Sequence, residues 1–124
     1  MNFRKSYVAL VLSLSFLTCG ATTLDEYKAL RTKNPAGLAS YLAALVDGFY
    51  WAYEAAKNSN AKATDHSFCL PKGLQLNGQQ IMSMLDRRIE EDSKNPGLKM
   101  ITELAPMELT LLDLLQEKFP CTKN

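Results

Sequence analysis

The sequence predicts a small all-α domain of four to five helices with one disulfide. Apolar residues recur at helical spacing along much of the chain, proline and glycine separate these segments, and the three cysteines leave one pair for a disulfide once a leader is removed. With 47% hydrophobic residues and a formal net charge of +1, the chain has neither a disordered composition nor the excess of positive charge typical of nucleic-acid binding.

The first 21 residues have the organisation of a signal peptide. Arg4 and Lys5 precede an uncharged run at Tyr7–Leu17, and Cys19–Ala21 supply small residues for cleavage. The uncharged run is well short of the roughly 20 residues that span a bilayer. We therefore expect cleavage after Ala21, which leaves residues 22–124 as a single periplasmic domain with no membrane span. A lipoprotein acylated at Cys19 is the less favoured alternative.

Cleavage at this position leaves two cysteines, Cys69 and Cys121. An even number of cysteines in an exported chain indicates a disulfide. The chain has one histidine, His66, so a histidine metal cluster is excluded and a Ser-His-Asp triad would depend on this residue alone. We expect no metal, no cofactor and no catalytic site, and therefore no enzyme activity.

The first two helices are predicted from their caps. Thr23 is a hydroxyl cap for a short helix to about Leu30, and Asn34 followed by Pro35 begins the main helix, which should end near Lys57. Between Ala36 and Ala56 only two residues are charged, so this helix should be central and buried.

Small residues recur at every fourth position of the main helix and form what we call its small face: Ser40, Ala44, Gly48 and Ala52. A neighbouring helix can approach such a face closely. The neighbour can be another helix of the same chain, which makes this the core face, or a second copy, which makes it a homodimer interface; both interpretations stay open.

A polar loop, Asn58–His66, separates the main helix from the next one. Asn77 and Gln80 have the spacing of a capping box, and the helix that follows has one core-facing stripe: Ile81, Met84, Leu85 and Ile89. Its opposite face is charged and is expected at the surface: Arg87, Arg88, Glu90, Glu91 and Asp92. A turn at Ser93–Gly97, a short helix at Leu98–Leu104 and a last helix from Pro106 to Pro120 complete the prediction.

Three segments carry a resemblance to a known family. Tyr41–Gly48, then Phe68–Pro71 followed by Gln79 and Gln80, and finally Phe119–Cys121 follow in the order seen in the Rap/Tai family. The chain resembles this family over about residues 38–121, and it departs from the pattern at Ala44, where the family has glycine. The members are periplasmic immunity proteins that neutralise peptidoglycan amidase effectors of the type VI secretion system.

The resemblance implies an all-α fold, a disulfide between the two cysteine motifs, homodimerisation and tight binding to a cognate amidase whose groove is blocked. The effector-binding residues are then expected on the charged face of the third helix and its following turn: Arg87, Arg88, Glu91, Asp92, Lys94 and Asn95. The Asn58–His66 loop is the competing site. The alternative function is that of a small periplasmic stress chaperone, which would need Asp47 and Glu54 buried at a dimer interface.

Overall fold

The computed structural model describes residues 20–59 and 68–121. Within them the chain forms five α-helices: α1 Leu24–Lys33, α2 Pro35–Asn58, α3 Gly78–Ser93, α4 Pro96–Leu104 and α5 Met107–Lys118. The described residues contain no strand, only an isolated bridge between Phe68 and Pro120. The predicted all-α class is confirmed. The predicted leader falls almost entirely on residues 1–19, outside the described part of the chain.

Side-chain caps set the starts of the helices. Thr23 and Glu26 form a capping box at α1, and Asn77 and Gln80 form another at α3. Asn34 caps α2 with Pro35 as its first residue, as predicted. α4 begins at Pro96 rather than at Leu98, because Asn95 accepts hydrogen bonds from the backbone N–H groups of the first turn. The predicted turn is therefore shorter than expected.

The core lies around α3, with most of its buried side chains supplied by α2, α3 and α5 and a smaller part by α1. Ile81 and Leu85 of the predicted α3 stripe are fully buried, as is Met82, whereas Met84 and Ile89 pack at the edge. The core residues are Leu24, Tyr27, Leu38, Leu42, Val46, Phe68, Ile81, Met82, Leu85, Met107, Leu111, Leu114 and Leu115.

The α2 helix is buried on one side only. Leu38, Leu42 and Val46 contact the core, but residues on the opposite side of the same helix are exposed to solvent. The prediction of a fully central helix is therefore wrong. The low charge of α2 made it resemble a buried helix, but only α1 and α3 cover it substantially among the described residues.

α2 and α3 approach each other closely at Gly78, the first residue of α3. A Cβ atom placed on Gly78 would overlap the backbone carbonyl of Ala39 on α2. Glycine is therefore required here for steric reasons rather than for an unusual backbone angle.

Tyr27 connects α1 to α3 by a hydrogen bond. Its hydroxyl donates a hydrogen bond to Asp86 Oδ1 at 2.7 Å, and Arg31 Nε lies 3.0 Å from the other carboxylate oxygen of Asp86. Burial, together with the hydrogen bond to Asp86 and its negative charge, raises the pKa of Tyr27 well above its usual range. The phenol is therefore protonated and a hydrogen-bond donor at neutral pH.

We expect Tyr27→Phe to lower the free energy of unfolding by about 1 to 2 kcal/mol, because it removes a hydrogen bond to a charged acceptor while keeping the ring. Urea unfolding of both proteins measures the difference. Lys28→Ala, a change to an exposed residue one position along α1, is the control and should stay within about 0.5 kcal/mol of wild type. Equal stability of Tyr27→Phe and wild type would contradict the role given to this hydroxyl.

Hydrogen bonds hold the start of the described chain against α5. Thr22 accepts a hydrogen bond from the backbone N–H of Met107 at 2.8 Å, and its own N–H donates to the two carboxylate oxygens of Glu108 at 3.1 and 3.2 Å. The hydroxyl of Tyr41 on α2 donates to Glu108 Oε1 at 2.7 Å. Glu108 thus joins the N-terminal segment, α2 and α5.

The predicted disulfide between Cys69 and Cys121 is confirmed. It lies beside the bridge between Phe68 and Pro120, and the backbone N–H of Cys69 donates to the carbonyl of Phe119 at 2.8 Å. The side chain of Phe68 is buried in the core. The disulfide therefore joins two segments that main-chain hydrogen bonding and packing already hold together.

Candidate functional site

The α3 residues predicted to bind an effector divide into two groups. Arg87, Glu91, Lys94 and Asn95 are exposed, whereas Arg88 is partly buried and Asp92 is only 5% exposed. Arg88 Nε lies 3.1 Å from Asp92 Oδ2, and its terminal nitrogen pairs with Glu117 on α5. The Thr102 hydroxyl of α4 donates to the same Asp92 oxygen at 2.6 Å.

The prediction that Asp92 is a surface residue is wrong. Its carboxylate lies where α3 meets α4, and Thr102 covers it there. Burial alone would lower the pKa of Arg88, but its hydrogen bonds to Glu117 and Asp92 raise it above the usual value. Arg88 and Asp92 therefore join α3, α4 and α5, and neither presents a free charge to a partner.

The exposed residues of this group remain candidates for partner contact. Arg87 and Glu91 border a shallow groove between α3 and α5, together with Leu114 and Lys118 of α5. Lys94 pairs with Glu90 one turn earlier, at 3.5 Å. Lys94 and Asn95 form the turn between α3 and α4, which we call the corner. The side chain of Asn95 caps α4 and so fixes the direction in which α4 leaves the corner.

α4 exposes its apolar side, a feature that the sequence interpretation missed. Met100 and Ile101 are each 62% exposed and Leu104 is 80% exposed, whereas the residue of this helix that is buried is the polar Thr102. Leu98 is also exposed. We call these four residues the α4 apolar face. Their helical spacing is visible in the sequence, but it predicts only that they share a face, not that this face meets solvent.

The small face of α2 is also exposed. Ser40, Ala44, Gly48 and Ala52 all face solvent, and apart from Gly48, its chain neighbours and the α2 backbone no described atom lies within 4 Å of a Cβ atom placed on Gly48. The interpretation of this face as a core contact within the chain is therefore wrong for the described residues, because the apolar residues on the opposite side of α2 pack into the core instead. The homodimer interpretation stays a prediction.

Aromatic residues surround the small face. Trp51 is 68% exposed and contacts Tyr50 edge to face, with ring centroids 5.5 Å apart. Tyr41 is exposed at the other end of the face, and Asp47, the neighbour of Gly48, is exposed as well. Exposed aromatic side chains such as Trp51 and Tyr41 are of the kind enriched at protein contacts.

The expectation of no metal site can be compared with residues 20–59 and 68–121. This part of the chain holds no group of three His, Cys, Asp or Glu residues arranged to bind a metal ion. His66 and most of the competing Asn58–His66 loop lie outside the described residues, and Asn58 itself ends α2. None of the helices described here has both the length and the hydrophobicity to cross a bilayer.

Comparison of the chain with protein-family models, with curated proteins and with solved structures finds no match. The candidate functional surfaces are therefore identified from the structure alone. They are the exposed charges of α3, the α4 apolar face and the small face of α2.

Proposed function

We propose that this chain is a periplasmic immunity protein that binds a peptidoglycan amidase effector of a type VI secretion system and blocks its groove. The observation that carries the proposal is the α4 apolar face, which follows directly after the corner at Lys94 and Asn95. A blocking protein needs an apolar tip that enters the cleft and polar groups that contact its rim. The disulfide is consistent with export to an oxidising compartment.

In this proposal the contacts are divided between two surfaces. Met100, Ile101 and Leu104 supply apolar area that loses contact with water on binding, which is the main source of affinity. Arg87, Glu91 and Lys94 supply charged contacts near the rim. Arg88 and Asp92 act indirectly, because they hold α4 against α3.

We expect a triple alanine variant of Arg87, Glu91 and Lys94 to bind the cognate amidase at least about tenfold more weakly, since truncating well-placed charges costs roughly 2 kcal/mol or more. The partner is sought among small cysteine amidases encoded beside the gene, and binding is measured by calorimetry and by inhibition of peptidoglycan cleavage.

The control is a triple alanine variant of Asp25, Lys28 and Lys33 on α1, which also removes two positive charges and one negative charge from exposed positions. It should inhibit like wild type. A second variant, Ile101→Ser, tests the apolar contact without changing charge. Full inhibition by both the α3 variant and Ile101→Ser would contradict this binding surface.

We also propose that the small face of α2 forms a homodimer. Gly48→Leu should then shift sedimentation from dimer to monomer, because the leucine side chain would occupy the space needed by the second copy. In the monomer the same substitution has open space around it and should not destabilise the fold. A wild-type protein that remains monomeric at high micromolar concentration would contradict this interface.

The stress-chaperone alternative is favoured by one observation: Asp47, the neighbour of Gly48 on the small face, is exposed. In this alternative, acid separates the two copies of a dimer and exposes Trp51 to unfolded clients. Protection of a client protein at low pH, with no affinity for any amidase, would favour this alternative.

A further inference from the structure

The donors that the described part of the chain offers to the carboxylate of Glu108 are neutral groups. It accepts hydrogen bonds from the Thr22 N–H and the Tyr41 hydroxyl, at 2.7 to 3.2 Å. Among residues 20–59 and 68–121 no lysine or arginine forms an ion pair with it. Burial would raise the pKa of Glu108, but the hydrogen bonds from Tyr41 and Thr22 lower it below the usual value. The group is therefore a partly buried anion for which the described residues supply no counter-ion.

Thr22 is held to this anion by two main-chain groups. Its N–H is shared between both oxygens of Glu108, and its carbonyl accepts from the N–H of Met107 at 2.8 Å. The segment before it, Gly20 and Ala21, is exposed. The exposed segment thus ends at Thr22, where hydrogen bonds from its backbone hold the chain against α5.

We propose that the Ala21–Thr22 peptide bond is the processing site of this chain and that Glu108 is the binding site for the Thr22 ammonium that processing creates. In the reaction, a signal peptidase adds water across this bond. The bond between the Ala21 carbonyl carbon and the Thr22 nitrogen breaks, Ala21 keeps the carboxylate, and the Thr22 amine takes up protons to become an ammonium group at neutral pH.

The geometry suits an ammonium better than an amide. An amide has one N–H, which here must divide between two oxygens at 3.1 and 3.2 Å, whereas an ammonium can donate a separate hydrogen bond to each oxygen. Glu108 lies in the first turn of α5, where the helix dipole also favours a negative charge. Cleavage would therefore supply a counter-ion for Glu108.

The first experiment uses the full chain with its own leader, expressed in a Gram-negative host. The exported product is recovered and its N-terminus is determined by intact mass and N-terminal sequencing. We expect a chain that begins at Thr22. A chain that begins at an acylated Cys19, or at any other residue, would overturn the proposal.

The second experiment tests the ammonium site by a double-mutant cycle on the exported product. Selective acetylation of the Thr22 amine removes its charge but keeps one N–H, and Glu108→Gln removes the charge of the acceptor. We expect acetylation to raise the unfolded-to-folded ratio about tenfold in the wild type, since hydrogen bonds to charged groups are the stronger class, and less than about threefold in Glu108→Gln. Equal effects in both backgrounds would overturn the site.

A direct readout does not depend on the folding of the Glu108 variant. The pKa of the Thr22 amine is measured by NMR in the wild type, where the titratable groups described around it are Glu108, Tyr41, Glu26 and the cation Lys33. We expect a pKa above the ordinary range of about 7.7 to 8.0. A pKa within that range would count against the ion pair. Neither outcome depends on whether the chain binds an amidase.

Discussion

Replacing both Cys69 and Cys121 with serine is expected to lower the free energy of unfolding by about 4 kcal/mol. The disulfide joins residues 52 positions apart, and in the chain-entropy model a loop of this length restricts the unfolded chain by about that amount. Small domains are stable by about 5 to 15 kcal/mol in total, so the loss is a large part of the whole.

The native contacts around the disulfide should survive its removal. Phe68 stays buried, and the Cys69 N–H still has the carbonyl of Phe119 as its acceptor, so the folded state changes little. Chemical denaturation of the oxidised wild type, the reduced wild type and the double serine variant measures the effect, and the last two should agree. A serine variant within about 1 kcal/mol of the oxidised wild type would show that the loop closure contributes little.

Gly78→Ala adds a single methyl group and is expected to lower the free energy of unfolding by about 3 kcal/mol. We expect no other added methyl group in the described chain to be more damaging. The new Cβ atom would overlap the carbonyl of Ala39, and because that atom belongs to the α2 backbone it cannot move without shifting the helix. Overpacking usually costs about 1 to 3 kcal/mol, and a backbone clash belongs at the upper end.

Gly48→Ala is the matched control, because it makes the same change at a helical glycine with open space around it. Here we expect the free energy of unfolding to rise rather than fall. Alanine is a better helix former than glycine by about 0.5 to 1 kcal/mol, so the monomer should become more stable. Thermal and urea unfolding at low protein concentration compare the two variants. If both substitutions change the stability in the same direction, α2 and α3 do not approach each other as described.

Local signals in the sequence predicted the helices well. The Asn34–Pro35 pair and the Asn77–Gln80 capping box act within a single turn, so they need no knowledge of the tertiary structure to be interpreted. The disulfide was equally predictable, because two cysteines remain in the chain expected after cleavage and they allow one pairing.

The surfaces were less predictable, because exposure depends on which helices become neighbours. The α4 apolar face and the small face of α2 both have the composition of buried surfaces, yet both are exposed in the described chain. Asp92 shows the reverse: its charged neighbours on α3 suggest a solvent-exposed residue, but Thr102 of α4 covers it. Helical periodicity predicts which face of a helix a side chain lies on. It does not predict whether another helix or solvent covers that face.

The disulfide also divides the chain into a covalent ring and a tail. The ring closes at Cys69 and Cys121 and contains α3, α4 and α5, whereas α1 and α2 belong to the tail. A protease that cuts once within the ring, for instance at the corner between α3 and α4, leaves one covalently connected molecule. A single cut between α2 and Cys69 instead yields two separate pieces, held together by non-covalent contacts such as those of Thr22, α1 and α2 with the ring.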